Sequence, residues 1–439
     1  MQLKIIKMEN IVVIGGGLMG TSAAWQLSQY GEKVVLLEQQ NSNYKEGSSF
    51  GKSRIARSLG PKKDIFSFLH RTTVEETKKL LHFLNGLSPK AKHKMSDIYS
   101  TSPVTYIYNK SQEQELKQLR FKGQKDKFKK ASGDKAFRKF GMTVDDSQVV
   151  VQEYRKYSGT LNPKALIKKM QLGIKKHGNT ISFNRQVTRI VKKGHYYEIK
   201  VRNTKTGKSK IIQTRKVIVA AGPYTSSLLK KIAPYFKRLI IAKRLLLSFY
   251  KINKKTYQQL NKEQRKVLFK THPVFDQQDE MYFAMLDKKD KQGVPIFKIG
   301  GHQLRGNIPN LDAVWRQKPL KKELKWSKKA FVNYLRMLEI PVRKKEIILT
   351  KRYYCIYSVS RTKIPYVTPV ITKEKTIDKN MIVIGGMSGT GAKGCLAYGR
   401  LAADWLLNVN ENSKIYQKTK KSLGVERLMN EVNKPFFKK

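Results

Sequence analysis

The sequence predicts an α/β protein: a Rossmann-like dinucleotide-binding domain interleaved with a second domain built on a mixed or antiparallel sheet with helices. Three observations predict it. An apolar run, Ile11 to Ile14, ends in Gly15-x-Gly17-x-x-Gly20. A second run, Val34 to Leu37, ends in the acidic Glu38 at the distance a ribose-binding carboxylate needs. Two more apolar runs end in small residues much later, Val217 to Gly222 and Met381 to Gly386. In the first unit Gly15 makes the turn, Gly17 lets a pyrophosphate approach the backbone, and Gly20 lets the helix pack on the strand. The helix N-terminus offers free N–H groups and the positive end of its dipole to phosphates. A glycine turn without a ligand has the same core motif. The strand before it, the helix after it and the spaced acid favour a bound dinucleotide.

Composition narrows the class. A chain of 439 residues with 40% hydrophobic and 10% aromatic content can bury a large core and hold two domains. No apolar run reaches the length of a membrane span. The residues ahead of the first strand, near Glu9, are too few for a secretory leader, which predicts a cytoplasmic protein. Two cysteines, Cys355 and Cys395, suit a reducing compartment. The net charge is +58. A polyanion partner needs such charge on one face. Residues 112–140 carry ten Lys/Arg against four acids, and 411–439 carry eight against three, close to the chain average. The excess reads as a solvated surface that draws small anions, with no specific nucleic-acid partner. No metal cluster, P-loop or nucleophile elbow is present in the sequence.

In chain order, Thr21 to Tyr30 reads as the first helix, stopped by Gly31. Small residues from Gly47 lead to Arg54 and Arg57, whose spacing suggests a loop entering a helix with both guanidiniums on one side. Thr72 to Leu84 is amphipathic, Val104 to Tyr108 a strand, and Gln112 to Gly141 a nearly apolar-free surface excursion. Asn162-Pro163 opens a helix to about Lys176. Strands follow at Thr180–Phe183, Gln186–Lys192, Tyr196–Val201, Lys208–Thr214 and, separately, from Val217. Ala242–Lys254, Tyr282–Leu286, Ile296–His302 and Arg352–Tyr357 also read as strands, with a helix centred on Trp326–Leu338. Lys298 alternates against Phe297 and Ile299, either as an edge lysine in water or as a buried cation with a purpose. A second glycine loop, Gly385 to Gly394, precedes a helix from Cys395 to Leu407. The predicted domains are discontinuous: 1–60, 150–225 and 350–410 for the dinucleotide, 61–149 and 226–349 for a substrate, and 411–439 as a basic tail.

These motifs together resemble the FAD-dependent amine oxidases of the D-amino acid oxidase superfamily, and within it monomeric sarcosine oxidase and N-methyltryptophan oxidase. The resemblance runs from about residue 9 to 410. Gly47-Ser-Ser-Phe50-Gly51-Lys-Ser-Arg54-Ile-Ala-Arg57 is similar to the family's GSSHGxTRxxR loop, Lys298-Ile-Gly-Gly-His302 to its K-x-G-x-H strand, Cys355-Ile-Tyr357 to its C-x-Y, and Gly386-Met-Ser-Gly-Thr390-Gly-Ala-Lys393 to its GxSGHGxK. The resemblance implies catalytic roles beside the flavin for Lys298, Arg54, His302 and Tyr357. It implies a substrate site at Arg57, Lys393, Phe283 and Thr390, with Arg57 and Lys393 clamping a carboxylate. It places Gly15, Gly17, Gly20, Glu38, Ser48, Ser49, Arg54, Val187, Gly222, Cys355, Gly386, Ser388, Gly389, Gly391 and Lys393 on FAD. It also implies covalent attachment at Cys355; a buried apolar cysteine is the plainer reading of that residue.

Departures from the family pattern bear on specificity. Phe50 and Thr390 stand where the family has histidines, Phe283 where sarcosine oxidase has tyrosine, and Arg361-Thr-Lys replaces an acid common after C-x-Y. A less polar pocket with its clamp retained implies an amino acid other than sarcosine, with a bulkier side chain. The activity implied is oxidation of the C–N bond of an amino acid by hydride transfer to flavin N5, with oxygen as acceptor, giving an imine and hydrogen peroxide, in a monomer. The alternatives are a dehydrogenase or biosynthetic oxidase of a cyclic imino acid or glycated amino acid, and a basic polyanion-binding protein on a vestigial flavin fold. Retention of Arg57, Lys298, Cys355 and Lys393 argues against the last.

Overall fold

Met8–Ile14 is the centre of the first sheet in the computed structural model. It pairs in parallel with Val34–Leu37 on one side and Ser209–Val219 on the other. Thr180–Ser182 extends the parallel run beyond Val34–Leu37, and Ile377–Gly385 extends it beyond Val217–Val219. The structure describes residues 8–433 apart from 44–46, 60–62, 89, 91, 113–127, 278–280, 302–305, 309, 312 and 314–316. Among the described residues the strands form sheets of eight, nine and three strands. None of the described helices is long and apolar enough to cross a membrane, and no described group of His, Cys and acids could hold a metal ion.

Ser209–Val219 is one continuous strand, where the sequence suggested a hairpin arm and a separate buried strand. Its first half pairs antiparallel with Tyr196–Asn203 and its second half runs beside Ile377–Gly385. The polar first half and apolar second half therefore reflect two neighbours, not two strands.

The first helix, Leu18–Gln29, is buried along nearly its whole length. Helices Cys395–Leu407 and Pro163–Lys176 cover it. The crossing with Cys395–Leu407 is close: a Cβ on Gly399 would stand 2.1 Å from Ser22 Oγ. Asn162 caps the Pro163–Lys176 helix by accepting from the Ala165 N–H at 3.1 Å, with Pro163 in its first turn. Both ends of the chain thus contribute to one core layer, with Trp25, Leu27, Leu166, Met170, Tyr398 and Leu401 fully or almost fully buried.

The nine-stranded sheet runs, from its edge, Ile347–Ser360, Ile240–Ile252, Pro295–Gly301, Tyr282–Lys289, Val274–Asp276, Val104–Asn109, Gln148–Glu153 and Phe128–Ser132. The short strand Gly306–Asn307 also pairs with Ile240–Ile252. One face packs on helix Lys321–Met337 through Phe331 and Leu335. The other face carries Leu247, Phe249, Phe275, Phe283, Met285 and Cys355. Of the expected surface excursion, 113–127 lies outside the described residues, while Phe128–Ser132 is a strand and Asp134–Phe140 a helix.

Two expectations are corrected. Arg54–Ala56 is a strand, paired with Gly159–Leu161 and through it with Tyr99–Thr101, and not the entry to a helix. Long-range pairing overrides the local spacing signal. Residues expected as a basic tail fold into helices Lys414–Leu423 and Val425–Val432, which bury Tyr416, Leu423 and Leu428 against the body. Arg427 fastens them. Its guanidinium donates to the Pro365 and Ile364 carbonyls at 2.7 and 2.9 Å and to Thr362 Oγ1 at 2.8 Å, and lies 4.3 Å from the Tyr366 ring. Its Nε pairs with Glu431 at 2.6 Å. Arg427→Ala strands two carbonyls and should cost about 2 to 3 kcal/mol. A thermal melt should show the midpoint about 2 to 3 °C lower, and Arg427→Lys should restore little, since an ammonium cannot reproduce the fork. An unchanged midpoint in the alanine variant would refute the fastening role.

Candidate active site

The glycine cradle is built by close backbone approach. Gly15 has φ +104° and a Cβ there would stand 2.5 Å from the Ala220 carbonyl oxygen. A Cβ on Gly20 would stand 1.9 Å from the Gly15 carbonyl oxygen. The helix therefore starts directly beneath the turn, with Gly17, Leu18 and Met19 lining a cleft of about 1430 Å³. That volume exceeds the roughly 300–1,000 Å³ of ordinary ligand pockets and suits an extended dinucleotide. Gly17 starts the helix without a side chain of its own to cap it, and Ser49 Oγ accepts the Leu18 N–H at 3.0 Å. Glu38 accepts from the Gly16 and Gln40 N–H groups at 2.7 and 2.8 Å. Burial pushes its carboxyl up, and these N–H groups pull it back. Val187, Ala220 and Gly222 complete the wall near that end.

At its far end the cleft meets a chamber of about 60 Å³. Arg54, Tyr357, Gly389 and Ala392 line both spaces. Arg57, Phe283, Lys298, Cys355, Thr390 and Lys393 line the chamber, with Ile55, Leu247, Phe275 and Met285 as its apolar remainder. The three-stranded sheet, the nine-stranded sheet and the Gly386–Lys393 loop each supply one wall.

Lys298 is on an interior strand, between Phe249 and Met285, and is only 3% exposed. This settles the sequence ambiguity in favour of a buried cation. Its ammonium donates to the Ser53 carbonyl at 2.6 Å and to Ser53 Oγ at 3.1 Å; Ser53 Oγ donates to Asp287 at 3.0 Å. Burial, and then the Arg54 charge, push its pKa down to about 7, against Asp287 and Cys355. Arg54 donates to the carbonyls of Ser53, Ser48 and Phe50 at 2.7, 2.6 and 2.5 Å, which fixes the Gly47–Gly51 turn. Ser48 Oγ bonds the Ile356 carbonyl. Burial raises the Cys355 thiol, and Arg54, Ser48 and Lys298 act the other way.

Lys393 is also 3% exposed. It bonds the Leu59 carbonyl and lies 4.6 Å from the Phe66 ring. Burial and the nearby Arg57 hold its pKa well below the ordinary lysine value, with Glu153 opposing. Arg57 stacks 4.0 Å over Phe275. Thr390 donates back to the Met387 carbonyl at 2.8 Å.

Most sequence-selected residues thus converge on one cleft and its chamber. Gly20, Gly386 and Ser388 line neither space. Gly20 packs behind the turn, while Ser388, at φ +50°, shapes the later loop through bonds of its hydroxyl to Ser360 N–H and Gly386 carbonyl, both 3.0 Å. Lys393 faces only the chamber. His302 lies outside the described residues. Sequence reading missed Ser53, Asp287, Tyr106 and Glu153. Asp287 was traceable, since it follows Phe283 and Met285 at strand spacing on the same face.

The probable sarcosine oxidase of Arabidopsis thaliana is 41% identical over 64 residues, 15% of each chain. The putative sarcosine oxidase of Caenorhabditis elegans is 46% identical over 48 residues, 11% of this chain and 12% of that one. The matched stretches span only 15% and 12% of these relatives' lengths. Among solved structures, the L-proline dehydrogenase of P. horikoshii has a TM-score of 0.68 at 15% identity, covering 95% of this chain and 99% of that one. NikD, described as an unusual amino acid oxidase essential for nikkomycin biosynthesis, has 0.65 at 15% identity, covering 93% and 96%. At these identities the likeness is one of fold. A family model described as FAD dependent oxidoreductase matches residues 10–405. The glycine cradle, the cleft of dinucleotide size and this match over nearly the whole chain place the protein in the DAO family of FAD-dependent oxidoreductases, with FAD as its cofactor.

Proposed function

We propose that the enzyme oxidises the C–N bond of a small amino acid carrying a secondary or primary amine, with molecular oxygen as acceptor, releasing an imine and hydrogen peroxide. One observation carries this reading: Arg57, Lys393 and Lys298 share an apolar chamber that opens on the FAD cleft. Bound FAD supplies the two-electron chemistry, acceptance of a hydride at flavin N5 and return of the electrons to oxygen.

The residues present do the rest. Arg57 offers a planar fork and Lys393 a point charge, which together hold one carboxylate. The cations around the chamber disfavour a further positive charge, so the substrate amine binds neutral, as removal of a hydride from the adjacent carbon requires. Leu247, Phe275, Phe283 and Met285 exclude water. Lys298, pinned by Ser53, holds positive charge where negative charge develops on oxygen. Cys355, on the chamber wall beside Tyr357, is our candidate for a thioether to the flavin. The chamber volume of about 60 Å³ corresponds to only a few waters. It favours a small N-methyl or cyclic amino acid over the bulkier side chain expected from the sequence, and over a glycated amino acid.

Three outcomes are expected. A panel of amino acids with a peroxide readout should respond to small N-methyl or cyclic members; substrate consumption without peroxide would make the enzyme a dehydrogenase. Acid precipitation of the yellow protein should carry the colour into the pellet, and Cys355→Ala should release it to the supernatant; colour released from the wild type would remove the thioether. Lys298→Met should slow the reaction with oxygen by about 100-fold or more while sparing the half-reaction with amino acid. Lys298 loses its proton as pH rises through about 7, so the oxygen step should be fast below that pH and fall above it. The variant should be flat. Equal loss in both half-reactions would refute the assignment.

A further inference from the structure

Behind the chamber lies a buried carboxylate that the reaction above does not use. Glu153 ends the strand Gln148–Glu153 and is fully buried. Its Oε2 accepts the Tyr106 hydroxyl at 3.0 Å. Its Oε1 accepts the Ser58 N–H at 2.9 Å and the Ser158 hydroxyl at 3.4 Å, and stands 3.2 Å from Arg155 Nε. These partners lead back to the chamber. Ser58 directly follows Arg57. Tyr106 puts its ring 5.7 Å from the Arg57 guanidinium, whose charge acts to lower the pKa of the Tyr106 hydroxyl. Glu153 therefore ties the nine-stranded sheet, through Tyr106, to the backbone leaving the three-stranded sheet at Ser58.

We propose that Glu153 is a positioning residue for the substrate-carboxylate clamp, aiming Arg57 through Tyr106 and Ser58 and balancing the charge on Lys393. The inference rests on the proposed amino acid oxidase reading. An acid placed in the chamber itself would repel a carboxylate. Set behind Arg57, the same charge holds the guanidinium and leaves its outer edge for the substrate. Charged and titratable groups facing this pocket are Arg57, Arg155, Arg71, Lys393, His70 and Tyr106. Burial pushes His70 down to about 4, so it adds no charge near neutral pH. Glu153 is thus the one anion named among them, and it favours the protonated form of Lys393.

The test is calorimetric binding of 2-furoate, a carboxylate with no amine to oxidise, to FAD-loaded enzyme across about pH 6 to 9. Glu153→Gln should weaken binding about tenfold or more. It should also move the alkaline loss of affinity to lower pH, because Lys393 then gives up its proton sooner. A purely structural role would not move that profile. Glu153→Asp should return the profile toward the wild type. Tyr106→Phe removes only the link between Arg57 and Glu153, and its loss should not add fully to that of Glu153→Gln. If the glutamine variant fails to fold, Tyr106→Phe still decides. Weakened binding in Tyr106→Phe supports the proposal, and wild-type affinity and pH dependence in that variant overturn it. Furoate that binds every variant alike sinks this inference only. Furoate that does not bind the wild type sinks the clamp, and with it the proposed function.

Discussion

Four cationic side chains, Arg54, Arg57, Lys298 and Lys393, meet around one small apolar chamber, and the surrounding structure is organised by the need to keep them there. Removing such charges from water costs several kcal/mol each unless they are bonded. The bonds supplied come mainly from carbonyl oxygens: Ser48, Phe50 and Ser53 for Arg54, Ser53 for Lys298, and Leu59 for Lys393. Dipoles satisfy the donors without cancelling their charge. The two carboxylates nearby, Asp287 and Glu153, act through Ser53 and through Tyr106 or the Ser58 backbone. The chamber stays electropositive, which suits an anionic substrate and a neutral amine.

That arrangement needs three independent walls at fixed distance. The nine-stranded sheet carries Lys298, Phe283 and Cys355; the three-stranded sheet delivers Arg54 and Arg57; the loop after Ile377–Gly385 brings Lys393. The first sheet anchors the last of these walls together with the glycine cradle, by holding Met8–Ile14 and Ile377–Gly385 on either side of Ser209–Val219. The cradle at Gly15 and the chamber are thus two ends of one assembly, and the cleft between them is long because FAD is long.

Much of this was legible in the sequence. The parallel core was visible because strand, glycine turn, helix and acid occur at short range and each leaves a periodic signal. The interior lysine was visible because alternation makes a charge between Phe297 and Ile299 conspicuous. What escaped depends on contacts between distant segments. Arg54 and Arg57 carry helical spacing, yet Gly159–Leu161 pulls Arg54–Ala56 into a strand and leaves Arg57 directly after it. Nothing local marks Ser53 as the mount for Lys298, or Glu153 as the partner of Tyr106 and the Ser58 backbone. The helices after Lys414 were hidden by their lysines, of which Lys414, Lys418 and Lys421 lie on the outer face while Tyr416 and Leu423 turn inward.

The interleaving of the first sheet also bears on how the protein comes to exist on the ribosome. Met8–Ile14 gains Val34–Leu37 early in synthesis. The sheet's parallel strand Ile377–Gly385 and the helix Cys395–Leu407 over Leu18–Gln29 emerge some 370 residues later. At ordinary elongation rates the wait is on the order of 20 to 70 s. Through that interval the nascent chain carries an open apolar helix face and an unpaired parallel edge, both prone to wrong partners. The dinucleotide cradle is written first and finished last, so cofactor loading is a step for the completed chain.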